Sequence, residues 1–146
     1  MNLDPLDHKI VTFLQKDARM SNTALADLVG LSPSACLRRV RTLERTGVIK
    51  GYLARVDPKA LGIGLTVIVH IGLQHHDDEA LAAFENAVSG SANILGCDMI
   101  SGRDDYMLRV GSADISDYER VHREQLSKLP GVTRIESYFV LRTVGN

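Results

Sequence analysis

Apolar positions recur at helical spacing through the first third of the chain and at strand-like spacing in much of the remainder. Leu6, Ile10, Phe13 and Leu14 share one side of a helix that Asp4-Pro5 opens and that ends near Lys16. Ser21 caps a second helix with Leu25, Leu28 and Val29 inward, and Gly30 closes it. Ser32-Pro33 opens a third, from which Cys36, Leu37, Val40 and Leu43 are expected to point inward before Gly47 stops it. The short connection after Gly30 is that of a helix-turn-helix unit. In such a unit the second member of the pair enters the major groove of DNA.

After Gly47 the stretch 48–56 reads as a basic strand, a wing leading out of the helices, until Asp57-Pro58 breaks it. Residues 57–64, with Pro58, Gly62 and Gly64, are expected to link a domain at 1–56 to one at 65–146. In the second domain strands are expected at 65–73, 94–100, 105–110 and 132–143. Helices are expected from Asp78, carrying Leu81, Phe84 and Val88, and from the cap Asp114, carrying Ile115, Tyr118, Val121 and Leu129 up to Pro130-Gly131. That order predicts an α+β chain in which a helix-turn-helix domain precedes a ferredoxin-like βαββαβ sandwich, with two helices on one face of an antiparallel sheet. The other face is expected to be apolar and to associate with a second copy. The resulting two-fold dimer would set two recognition helices about one DNA turn apart.

Charge sharpens this division. The 146 residues carry a net charge of only −1, yet residues 1–60 hold ten Lys/Arg against six Asp/Glu, net +4, and residues 61–146 hold seven against twelve, net −5. Only the first part suits a polyanion. Within it Ser34, Arg38, Arg41 and Arg45 lie opposite the apolar side of the third helix. Ser34, Ala35, Arg38 and Arg41 are therefore expected to face the groove of double-stranded DNA, Arg45 and Lys50 to touch phosphate, and Arg39 to stand beside them.

Other chemistries find little support. Cys36 and Cys97 lie far apart with no zinc spacing, and His75-His76-Asp77-Asp78 reads as the opening of a helix, so no metal or cofactor is called for. There is no nucleophile elbow or phosphate loop, which argues against an enzyme. No long apolar run or basic-then-apolar start suggests a membrane span or leader, and the chain reads as cytoplasmic. The rival reading is a module that senses an amino acid and acts on a protein partner without binding DNA.

Separated motifs then coincide. The stretches 10–17 (IVTFLQKD), 19–22 (RMSN), 29–33 (VGLSP), 39–44 (RVRTLE) and 47–52 (GVIKGY), together with Ser101-Gly102, Asp105-Tyr106 and 129–132 (LPGV), resemble the Lrp/AsnC, or feast/famine, family of transcription regulators along essentially the whole chain. The resemblance implies a regulator that forms homodimers, often assembles four of them into an octamer, and usually answers to a small amino acid. It places the effector near Ser101, Gly102, Arg103, Asp104, Asp105 and Tyr106, with Gly102 allowing close backbone approach and Asp105 accepting from the ligand's ammonium group. By the same match Met99, Ile115, Tyr138, Phe139 and Val140 belong around the pocket or its dimer contacts. Arg103 and Asp104 depart from the family pattern, so the expected effector is polar or charged, because an apolar one would leave these charges poorly paired.

Overall fold

The computed structural model describes residues 3–144, which divide into two compact units between Arg55 and Val56. The first is three helices: α1 (Pro5–Lys16), α2 (Asn22–Val29) and α3 (Pro33–Arg45). Each begins at a side chain that accepts from a free first-turn amide: Asp4 from Asp7, Ser21 from Ala24 and Ser32 from Ala35. Gly30, in the left-handed conformation at φ 73°, turns α2 toward α3. The Asn22 side-chain amide donates to the Pro33 carbonyl at 2.8 Å, tying the start of one helix to the start of the next. Ile10, Leu25, Ala26, Cys36 and Leu43 are almost wholly buried between the helices, and burial pushes the Cys36 thiol pKa up.

The expected strand at 48–56 does not form. Val48 and Ile49 fold back against the helical core, with the Ile49 amide donating to Leu43, and residues 50–57 adopt no regular element. Among the described residues a lone extended segment has no strand partner in its own unit to satisfy its backbone, so strand-favouring residues alone do not make a strand.

The second unit is β1 (Leu65–Leu73), α4 (Asp78–Ser89), β2 (Ile94–Met99), β3 (Tyr106–Ser112), α5 (Ile115–Glu124) and β4 (Val132–Phe139). The sheet order is β2-β3-β1-β4 with every pairing antiparallel, so the first and third strands sit at the centre and each helix crosses between sheet positions. Val67, Val69, Ile71, Leu108 and Val110 point to one face, where Phe84 and Val88 of α4 and Tyr118 and Val121 of α5 cover them. The fourth strand and the second helix are shorter than the sequence suggests. Residues 140–144 run on without regular structure, and a 3-10 turn, Leu126–Lys128, replaces the last helical turn before Pro130-Gly131.

The other face is not uniformly apolar. Ile68, Met107 and Tyr138 share it with His70, Arg109, Arg134 and Glu136, because these positions alternate with the buried ones along paired strands.

Candidate functional site

The helix α3 divides its four arginines. Arg39 turns inward and its Nη1 donates to Asp4 at 2.6 Å and to Asp7 at 2.8 Å, both at the start of α1. Arg39 is thus not on the groove-facing side, where its sequence position suggested it would be. It lies one residue round from Arg38, about 100°, and this carries it to the α1 flank, where two carboxylates take up its donors. Arg38, Arg41 and Arg45 are exposed and none has an ion-pair partner among the described residues. With Ser34, Leu37 and Thr42 they line a shallow groove along the outer side of α3. Ser34 is exposed and 3.3 Å from the Ser32 hydroxyl, Ala35 is half-buried, and Lys50 is exposed beyond the helix end. The arrangement suits a polyanion: three unneutralised cations on a rigid rod, with the one acidic residue of the helix, Glu44, accepting from the Tyr52 hydroxyl at 2.9 Å.

In the second unit residues 101–105 form the turn between β2 and β3. Gly102 has φ 129°, a conformation few other residues adopt, and Ser101, Gly102 and Arg103 are exposed. The remaining members of the loop are committed inside the chain. Asp104 is only 8% exposed; Arg134 donates to its Oδ1 through Nε at 3.0 Å and through Nη2, and His70 Nδ1 lies 3.1 Å from Oδ2. The Arg134 guanidinium, joined by His70, holds the Asp104 carboxyl pKa below its ordinary range against the opposing effect of burial. Asp105 accepts the Leu73 amide at 2.7 Å and meets His76 Nε2 at 2.8 Å. Tyr106 is 1% exposed, packs on Phe84 at 4.6 Å between ring centroids, and donates to Glu85 at 2.7 Å.

These contacts correct two expectations. Tyr106 belongs to the core rather than to a ligand surface, because it falls in phase with Leu108 and Val110 on the helix-covered face. Arg103 and Asp104 are not poorly paired: Arg103 Nη2 is 3.2 Å from Glu136, and Asp104 has Arg134 and His70. Unpaired charge therefore gives no reason to expect a polar effector. Met99, Ile115, Tyr138 and Phe139 are exposed and Val140 is half-buried. Tyr138 and Phe139 point to opposite faces, Tyr138 toward His70 at 5.1 Å and Phe139 edge-on to Tyr118 at 5.4 Å, so they do not converge on one surface of this chain. The residues that sequence reasoning missed are Arg134, His70, Glu136 and His76. The first three were legible in principle, since period-two alternation on two paired strands puts them on a single face.

Among the described residues there is no group of three or more His, Cys, Asp or Glu that could hold a metal ion, and no helix is long and apolar enough to cross a membrane. Comparison with known proteins gives a consistent picture. Residues 3–50 match the model of a winged helix-turn-helix DNA-binding domain, and residues 66–146 that of the Lrp/AsnC ligand binding domain. The chain is 41% identical to the leucine-responsive regulatory protein of Escherichia coli over 143 residues, 98% of this chain and 87% of that one. It is 48% identical to an uncharacterised HTH-type transcriptional regulator of Sinorhizobium fredii over 116 residues, 80% of this chain and 91% of that one. A transcriptional regulator of Neisseria meningitidis solved with L-Met superposes with a TM-score of 0.92 at 30% identity, covering 99% of this chain and 94% of that one. The chain belongs to the Lrp/AsnC family of DNA-binding transcription regulators, which are not enzymes.

Proposed function

We propose that the protein regulates transcription in the cytoplasm by binding double-stranded DNA through α3, under the control of a small amino acid bound near Gly102. The observation that carries the DNA-reading half is the outer face of α3, where three of four arginines have no acidic partner among the described residues while the fourth is neutralised at the start of α1. Ser34, Ala35, Arg38 and Arg41 are assigned to base edges, and Arg45 and Lys50 to phosphates. Residues 57–64 act as the linker between domains at 1–56 and 65–146. The L-Met complex of the Neisseria regulator supports an amino-acid effector, seated here against Ser101, Gly102 and Arg103, with Met99 beside them and Ile115 and Val140, at the far end of the sheet, supplied by a second copy. Homodimers form through the sheet face that the helices leave uncovered, and dimers assemble into octamers.

The test is a titration of the full chain against duplex DNA in low and moderate salt, with and without each of the twenty amino acids, alongside light scattering. A bound duplex whose affinity falls steeply with salt, and an amino acid that shifts binding or assembly, are the expected results. A chain that binds no duplex but still binds an amino acid would instead be a sensing module for a protein partner. In the same assay Arg38→Ala should cost about 1 to 3 kcal/mol and relax the preference at one base pair.

A further inference from the structure

Leu37 departs from its expected place. Helical periodicity puts it with Cys36, Val40 and Leu43, yet it is 38% exposed where Cys36 and Leu43 are buried. It stands instead in the groove along α3 beside Ser34, Arg38 and Arg41. Ser34 precedes it by three positions and Arg41 follows it by four, so both are its neighbours on the helix surface. An apolar side chain beside cations that face a polyanion gains most where it meets an apolar group on that polyanion. On the base edges of the major groove the C5-methyl of thymine is the one such group.

We infer that Leu37 is a specificity-determining residue that packs on a thymine methyl in the major groove, between the bases reached by Ser34 and Arg41. The inference rests on the DNA-reading role proposed above and adds a base preference to it. Arg38 and Arg41 supply attraction that any duplex satisfies in part, whereas Leu37 distinguishes thymine from cytosine at one position through contact alone. Burying one methyl-sized group is worth about 0.8 kcal/mol, or about fourfold in affinity.

The experiment uses the full-length chain. A preferred duplex is selected from a randomised pool, and its thymines are then replaced singly by deoxyuridine, which deletes the methyl and keeps the pairing. Binding is measured for the wild type, Leu37→Ala and Leu37→Gln, with circular dichroism melts as a control on folding. One thymine in each half-site should show about a fourfold loss for the wild type on methyl removal and none for either variant. If the wild type binds but no thymine shows the loss, or if the loss persists undiminished in Leu37→Ala, the inference is overturned and the DNA reading stands. A wild type that selects no duplex overturns both.

Discussion

Tyr106 is the residue for which a ligand contact and a core anchor predict opposite results, and Tyr106→Phe separates them. The substitution keeps the ring and its packing on Phe84 and deletes only the hydroxyl that donates to Glu85. Glu85 is exposed and regains water when the hydroxyl goes, so the cost is that of one hydrogen bond, about 1 kcal/mol, without a further penalty for a stranded charge. For a unit of this size that is a fall in Tm of about 4 to 8 °C, measured at fixed protein concentration because assembly would itself shift the melt. The assay pairs thermal melts with calorimetric titration of whichever amino acid the screen identifies. The expected outcome is a lower Tm and an unchanged Kd. An unchanged Tm with weakened ligand binding would refute the core assignment.

The same substitution has a signature in alkali. Burial first, and the bond to Glu85 second, push the Tyr106 hydroxyl above its ordinary pKa of 10.0. The folded state therefore holds that proton more tightly than the unfolded chain. Its stabilising effect is complete below pH 10.0 and declines as pH rises past that value, by up to one proton's worth, about 1.4 kcal/mol per pH unit. Tyr106→Phe removes this component, so the gap between wild type and variant should narrow with rising pH in urea unfolding. A gap that stays constant from pH 8 to 11 would show that the hydroxyl is not held as the geometry requires.

Arg39→Ala should lower the Tm of the helical unit and leave its base preference intact, since Arg39 serves Asp4 and Asp7; a changed selected sequence would place it on DNA after all. The Asp7 amide and then Arg39 hold the Asp4 carboxyl pKa below its ordinary value, so this contribution is present above that ordinary value and is lost as pH falls from there through the lowered folded value, a loss that Arg39→Ala should blunt in acid melts. Arg45→Ala and Lys50→Ala should each weaken binding equally on every duplex and reduce the slope of log affinity against log salt by about 1. Gly102→Ala meets no neighbouring atom but is forced into an unfavourable φ, at a cost of about 1 to 3 kcal/mol in stability or loop order, and amino-acid binding should weaken with it.

The elements most plainly written in the sequence were those with both a period and a boundary. Ser32-Pro33 and Gly47 frame α3 because capping and proline geometry are local, and the β1 alternation emerges because one face of that strand is covered. What escaped was set by partners distant in sequence. Nothing near Arg39 reveals that Asp4 and Asp7 will meet it, and nothing near Asp104 reveals Arg134, thirty positions on. The stretch 48–56 is rich in strand-favouring residues such as Val48, Ile49, Tyr52 and Val56, but strand formation depends on a partner strand that this unit lacks among the described residues. Leu37 shows the same limit from the other side: an apolar residue within 100° of a helix's buried face reads as core until its neighbours are known.

Taken together, the contacts of residues 101–106 define what kind of recognition this loop can perform. Asp104 is clamped by Arg134 and His70, Asp105 by the Leu73 amide and His76, and Tyr106 by the core, so the far end of the loop is fixed before any ligand arrives. A ligand seated here meets a preformed turn at Ser101 and Gly102 rather than a pair of free carboxylates, and its binding does not have to order the chain. Such a frame suits the groups that all amino acids share, through backbone donors and acceptors. If an amino acid binds here, its side chain meets exposed neighbours of the turn such as Met99, which is apolar. The charges that interrupt the family pattern thus brace the loop.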